Sequence, residues 1–110
     1  MSNNSIVRSL ILASALAISV PAFAKPVVKD LPITHPMHIG QTSIQSGDYR
    51  ILIDGNHLSI QKGRKVVAQS EGRWEDRNSK SPYDEIVSDA TGNMMELRFE
   101  GKTGVFVLAQ

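Results

Sequence analysis

The stretch Tyr49-Arg50-Ile51-Leu52-Ile53-Asp54-Gly55-Asn56-His57-Leu58-Ser59-Ile60-Gln61 decides the fold class. If Gly55-Asn56 forms a two-residue turn, Ile53 faces Leu58 and Ile51 faces Ile60. Tyr49, Ile51, Ile53, Leu58 and Ile60 then share one face, with Arg50, Asp54, His57, Ser59 and Gln61 on the other. An antiparallel pair with one buried face requires this alternation, and a one-residue slip would turn the whole apolar set to water. Glycine suits the turn because it reaches positive φ without a Cβ clash.

The same punctuation recurs on both sides of this hairpin, at Gly47-Asp48, Gly63-Arg64, Gly92-Asn93 and Gly101-Lys102. A turn at Gly63-Arg64 sets Ile60 opposite Val67. One around Thr91-Gly92 sets Ile86 opposite Leu97, and one at Gly101-Lys102 sets Leu97 opposite Phe106. Met95, Leu97 and Phe99 then point inward, with Glu96, Arg98 and Glu100 outward. No window of helical length combines a 3.6-residue period with few glycines or prolines. The expected fold is all-β, an antiparallel meander of six to seven short strands forming a small barrel or a half-open sheet.

Two stretches depart from simple alternation. Val66-Val67 and Val105-Phe106-Val107-Leu108 are apolar on both faces, which implies strands covered on both sides or a barrel seam. Glu71 to Asp84 carries seven charges in 14 residues and reads as two strand ends joined by a long exposed hairpin loop.

Towards the N-terminus the pattern changes. Met1–Ser9 is polar with Arg8 its one charged side chain, Leu10–Val20 is apolar but for Ser14 and Ser19, and Pro21-Ala22-Phe23-Ala24 follows. A charged start, a short apolar stretch and a small-x-small exit make a secretory signal peptide, with cleavage expected between Ala24 and Lys25. The apolar stretch is shorter than the ~20 residues that span a bilayer, so no transmembrane segment is expected in the mature chain. Lys25 to Met37 holds Pro26, Pro32 and Pro36 and reads as an extended leader over the surface. The expected organisation is residues 1–24 as export signal, 25–37 as leader and 38–110 as a single β domain in an exported, periplasmic or secreted protein.

Charge supports this division. The full chain has a formal net charge of +1, but Arg8 belongs to the export signal, which leaves 11 basic and 11 acidic side chains from Lys25 onward. A neutral domain offers no basic field for nucleic acid. The chain has no cysteine, so disulfides, thiolate metal sites and cysteine nucleophiles are excluded.

Candidate chemistry is sparse. Thr34-His35-Pro36-Met37-His38 places two imidazoles and a thioether close together, a ligand set suited to copper, so His35, Met37 and His38 are candidate metal ligands. Against this, Pro36 holds the chain extended, and His35 and His38 then face opposite sides. His57 sits opposite Asp54 as an outer-face pair. Hydrolysis would need a nucleophile, a base and an orienting acid, but Ser46-Gly47-Asp48 is better read as turn chemistry. The carboxylate pairs Glu75-Asp76 and Asp84-Glu85 lie among cations, where nothing raises a pKa. No cofactor motif is present.

Trp74 is the large aromatic of the polar stretch, flanked by Arg73 and Arg77, with Tyr83 beyond. These four residues are the candidate binding contact, because exposed tryptophan and arginine anchor interfaces. The competing reading has Trp74 end a strand and cover the open mouth of the sheet. Short strands offer about 20 inward positions, roughly matching the large apolar residues available, so the interior should be filled.

Ile44-Gln45-Ser46-Gly47-Asp48-Tyr49-Arg50-Ile51 and Met95-Glu96-Leu97-Arg98-Phe99-Glu100-Gly101-Lys102 resemble segments of small exported bacterial β-sheet proteins. In those proteins a Gly-x-Tyr strand opens a meander and an E-[IL]-R-F-x-G-K hairpin closes it. The resemblance implies a small sheet or barrel and carries over no catalytic or binding residue. The sequence thus leads to a non-catalytic exported β domain of the bacterial envelope that binds protein, glycan or lipid. A periplasmic copper binder and a small hydrolase are the alternatives.

Overall fold

In the computed structural model, which describes residues 25–109, the Tyr49–Gln61 hairpin pairs as its alternation dictates, Ile51 with Ile60 and Ile53 with Leu58. The described strands are β1 (Val27–Ile33), β2 (Met37–Ile39), β3 (Thr42–Ile44), β4 (Gly47–Asp54), β5 (His57–Lys62), β6 (Lys65–Asp76), β7 (Glu85–Ser88), β8 (Met94–Arg98) and β9 (Gly104–Leu108). Seven of them form one antiparallel sheet in the order β1-β4-β5-β6-β9-β8-β7, nearly closed into a barrel. The expected Ile86–Leu97 and Leu97–Phe106 pairs are also present. The export signal expected over residues 1–24 lies outside the described residues.

The centre of the sheet is β6. Its first part, to Glu71, pairs with β5, and its second, from Gly72, pairs with β9. Gly72 marks the change of partner: a Cβ there would lie 2.5 Å from the Phe106 ring and 2.5 Å from the Val107 carbonyl oxygen. Only a residue without a side chain lets β6 pass so close over Phe106.

Four local expectations need correction. First, Lys25 to Met37 is not a leader over the surface. Val27–Ile33 is a full strand on β4, and it buries Leu31 and Ile33 while Met37 enters the core from β2. Pro32 is tolerated because β1 is an edge. Second, Ile60 pairs with Ala68, not Val67, because a β-bulge inserts one residue into β6. The bulge leaves Val66 exposed and Val67 packed partly on the core, so neither valine is covered on both sides. Third, a bulge between Val87 and Ser88 puts Met94, not Met95, in the interior.

Fourth, Glu71–Asp84 is not a hairpin, since β6 continues to Asp76 and its neighbour is β9 rather than β7. The connection instead arches around the end of the β8–β9 hairpin. It is tied there by Arg77 N–H to Thr103 O (2.8 Å) and Ser81 N–H to Lys102 O (3.0 Å). This arch accounts for the doubly apolar β9. Phe106 and Leu108 face the core, while Val105 is buried on the other face beside Arg77, Ser81 and Pro82.

The interior is filled by Tyr49, Ile51, Ile53, Leu58, Ile60, Leu97 and Phe106, each worth about 1.5–3 kcal/mol on burial. The β2–β3 hairpin, with Met37 opposite Ile44, packs across the end where β8 begins. Past Arg98, at the other end of β8, the barrel mouth is walled by aromatic rings.

Candidate functional site

Trp74 stands at that mouth, directly opposite Phe106 in the β6–β9 register. Its ring meets Phe106 edge-on at 5.3 Å and Phe99 at a tilt at 6.1 Å, both favourable aromatic geometries. The indole N–H donates to the Gly55 carbonyl at 3.0 Å, which fixes the ring against the β4–β5 turn. Yet Trp74 remains 40% exposed. It covers the mouth and still presents a face to solvent.

Beside this face is a hollow of about 290 Å³. Val27, Trp74, Phe99 and Gly104 form its walls, and Lys29, Lys102 and Thr103 its rim. The two rim charges are both positive. Lys29 reaches Asp84 at 4.0 Å, and Thr103 donates its hydroxyl to Asp76 at 2.7 Å. Other surface hollows are more polar, and one of them, between Leu31, Pro32, Met37 and Ile86, mixes apolar walls with Asp84 and Glu85. Another, lined by Asp30, Asp48, Tyr49, Arg50 and Gln61, carries charges of both signs.

The other sequence candidates are not gathered at this site. Arg73 lies on the opposite face of β6 from Trp74, as alternation demands, and Arg77, one residue past the end of β6, joins it through Glu75. There they belong to an ion-pair ladder: Arg73 and Arg77 both hold Glu75, Arg77 also meets Glu96 at 3.5 Å, and Arg98 joins Glu96 at 3.0 Å and Glu85 at 3.9 Å. The Arg73 and then the Arg77 guanidinium hold the Glu75 carboxyl below its usual range. Three arginines against three glutamates leave this belt without an unmatched charge. Tyr83 is 58% exposed on the arch and does not line the hollow.

His35, Met37 and His38 do not converge. Met37 is in the core, and His35 is exposed with Nδ1 3.3 Å from the Thr34 hydroxyl. His38 is used as a clasp. Its Nδ1 lies 3.1 Å from Gly40 O and its Nε2 3.2 Å from Thr91 O, while its backbone N–H donates to Gly92 O at 3.0 Å. It thereby ties the β2–β3 hairpin to the β7–β8 loop. That loop is built on Asp89, which accepts the Thr91 hydroxyl at 2.7 Å and the Thr91 and Asn93 amides. Those bonds, the Thr91 hydroxyl first, hold its carboxyl below the usual value. Among the described residues no cluster of three or more His, Asp or Glu is placed to hold a metal.

His57 stands opposite Asp54 in the β4–β5 register, and its ring bonds to β6. Its Nδ1 is 2.6 Å from Glu71 Oε2 and its Nε2 2.9 Å from Gln69 Oε1, so both ring nitrogens engage β6. The hydrogen bond to Glu71 raises its pKa above 6.5, and Gln69 adds to the shift. Among the described residues no serine hydroxyl is hydrogen-bonded to this ring.

Sequence reasoning reached Trp74 but missed Lys29, Phe99, Lys102 and Gly104. Lys29 was hidden because its segment read as a leader, and the approach of β1 to the 99–104 turn is a long-range contact with no local signal. No protein-family model matches the sequence, and neither a curated protein nor a solved structure matches it.

Proposed function

We propose that this chain is an exported, non-catalytic binding domain of the bacterial envelope, and that the Trp74 hollow is its contact. The observation that supports this reading is a large aromatic ring, fixed on three sides, that keeps 40% of its surface in water beside an apolar hollow. A ring already immobilised loses little side-chain entropy on binding, and such residues are typical interface anchors.

Native mass spectrometry of protein taken from its envelope fraction tests it. A co-purifying species is expected, lost in Trp74→Ala and kept in Val66→Ala, which changes an exposed apolar residue outside the mouth. A Trp74→Ala protein with an unchanged β-type circular dichroism spectrum and the same bound species would overturn the assignment.

A further inference from the structure

We infer that the Trp74 hollow takes the apolar tail of a single-chain amphiphile and that Lys29 and Lys102 hold its anionic head, an inference that rests on the hollow being the protein's contact. Two features of the rim carry it. Lys29 stands on the core-facing row of β1, between Val27 and the buried Leu31. Lysine is seldom placed on an apolar row, and there its ammonium must reach water or a partner. Its partner Asp84 is 4.0 Å away, and the other Asp84 oxygen is held by the Glu100 N–H at 2.8 Å.

Lys102 shares the rim and has no carboxylate within ion-pair distance among the described residues. Asp76, beside the rim residue Thr103, accepts that residue's hydroxyl. Apolar walls under two cations, one unpaired and one loosely paired, are the complement of an amphipathic anion. Size narrows the class. A hollow of about 290 Å³ lies at the lower limit of small-molecule sites, about 300 Å³, so it suits one acyl segment rather than a two-chain lipid.

Carboxylate and phosphate heads share this chemistry, and one titration separates them. The chain has a single tryptophan, so intrinsic fluorescence reads the hollow directly. The purified protein is titrated with decanoate, decyl phosphate, decanol and decyltrimethylammonium, each below its micelle concentration. Saturable binding is expected for at least one anion, about fivefold or more tighter than for decanol, with the cation weakest. Preference for either anion names the head group.

Lys102→Gln, a change in an exposed turn, should weaken the anion about fivefold and leave decanol unchanged. Equal affinity for decanol and both anions would overturn the anionic head while leaving the hollow as a contact. No saturable change with any probe would overturn the amphiphile altogether, and the contact itself then stands or falls on the Trp74→Ala mass spectrum.

Discussion

His57 shows how a side chain's partners are set by the strand beyond its hairpin. The turn places it opposite Asp54, but both ring nitrogens turn to β6, where Glu71 and Gln69 present acceptors. Two acceptors favour the doubly protonated ring, which is why its pKa rises, first through Glu71. A folded pKa above the unfolded one means the contribution to stability is complete below about pH 6.5 and is lost as pH climbs through the raised folded value. In Glu71→Gln, NMR titration of the His57 ring should therefore give a lower midpoint than in the wild type. The gap in urea midpoint between the two proteins should be open at about pH 5 and narrow by about pH 8.5. An unchanged ring midpoint would show that Glu71 does not hold the proton. The exposure of the pair makes the ring titration the sharper readout, since solvent and salt screen such bonds. Nothing in the alternation of β5 announces Glu71 as the partner, because that pairing depends on how β6 registers on β5. The Trp74 ring was legible as an aromatic at a strand end; the lysines beside it were not.

At the scale of elements, two bulges decide which residues are core. Local parity placed Met95 inside with Leu97 and Phe99, and this holds for Leu97 and Phe99. The extra residue opposite Val87 and Ser88 shifts the phase by one at the top of β8, so Met94 is fully buried and Met95 only partly. Met94→Ala should cost about 2–5 kcal/mol in urea unfolding, the range for deleting a buried Met side chain, while Met95→Ala should cost less than about 1 kcal/mol. Equal losses would mean that the bulge is absent and the regular register holds. The pairings that were readable, Ile51–Ile60, Ile53–Leu58, Ile86–Leu97 and Leu97–Phe106, are all within hairpins, where turn length fixes register. Bulges add one residue without a sequence mark of their own, so adjacent valines at 66 and 67 read as two-sided burial. Only at Val105–Leu108 does two-sided cover exist, and there the β6–β7 arch supplies it.

At the scale of the whole molecule, the strand count fixes where the sheet is weakest. Seven strands joined only by antiparallel pairings leave β1 and β7 pointing the same way, so an antiparallel ring cannot close between them. No backbone hydrogen bond joins the two among the described residues, and the Lys29–Asp84 ion pair spans the gap instead. This seam was not visible in the sequence. The two three-stranded meanders, β4-β5-β6 and β7-β8-β9, are each local, but their join through β6 and β9 and the placing of β1 beside β4 are pairings across long stretches of chain. Opening should begin at the seam, because an edge strand is anchored on one side only and exposes the other row of backbone groups to water. Amide hydrogen exchange is therefore expected to run fastest in β1 and β7, slower in β4 and β8, and slowest in the inner strands β5, β6 and β9. Lys29→Met removes the ion pair and should speed exchange in β7 without changing β5. If β1 amides are as protected as those of β5, or if Lys29→Met slows the seam, the barrel is closed by something other than this single ion pair. The Trp74 hollow borders the same seam through Val27 and Lys29. An occupant that packs on Val27 and reaches the 99–104 turn bridges β1 to its neighbour across the mouth and should retard exchange in β1, which ties occupancy of the mouth to closure of the sheet.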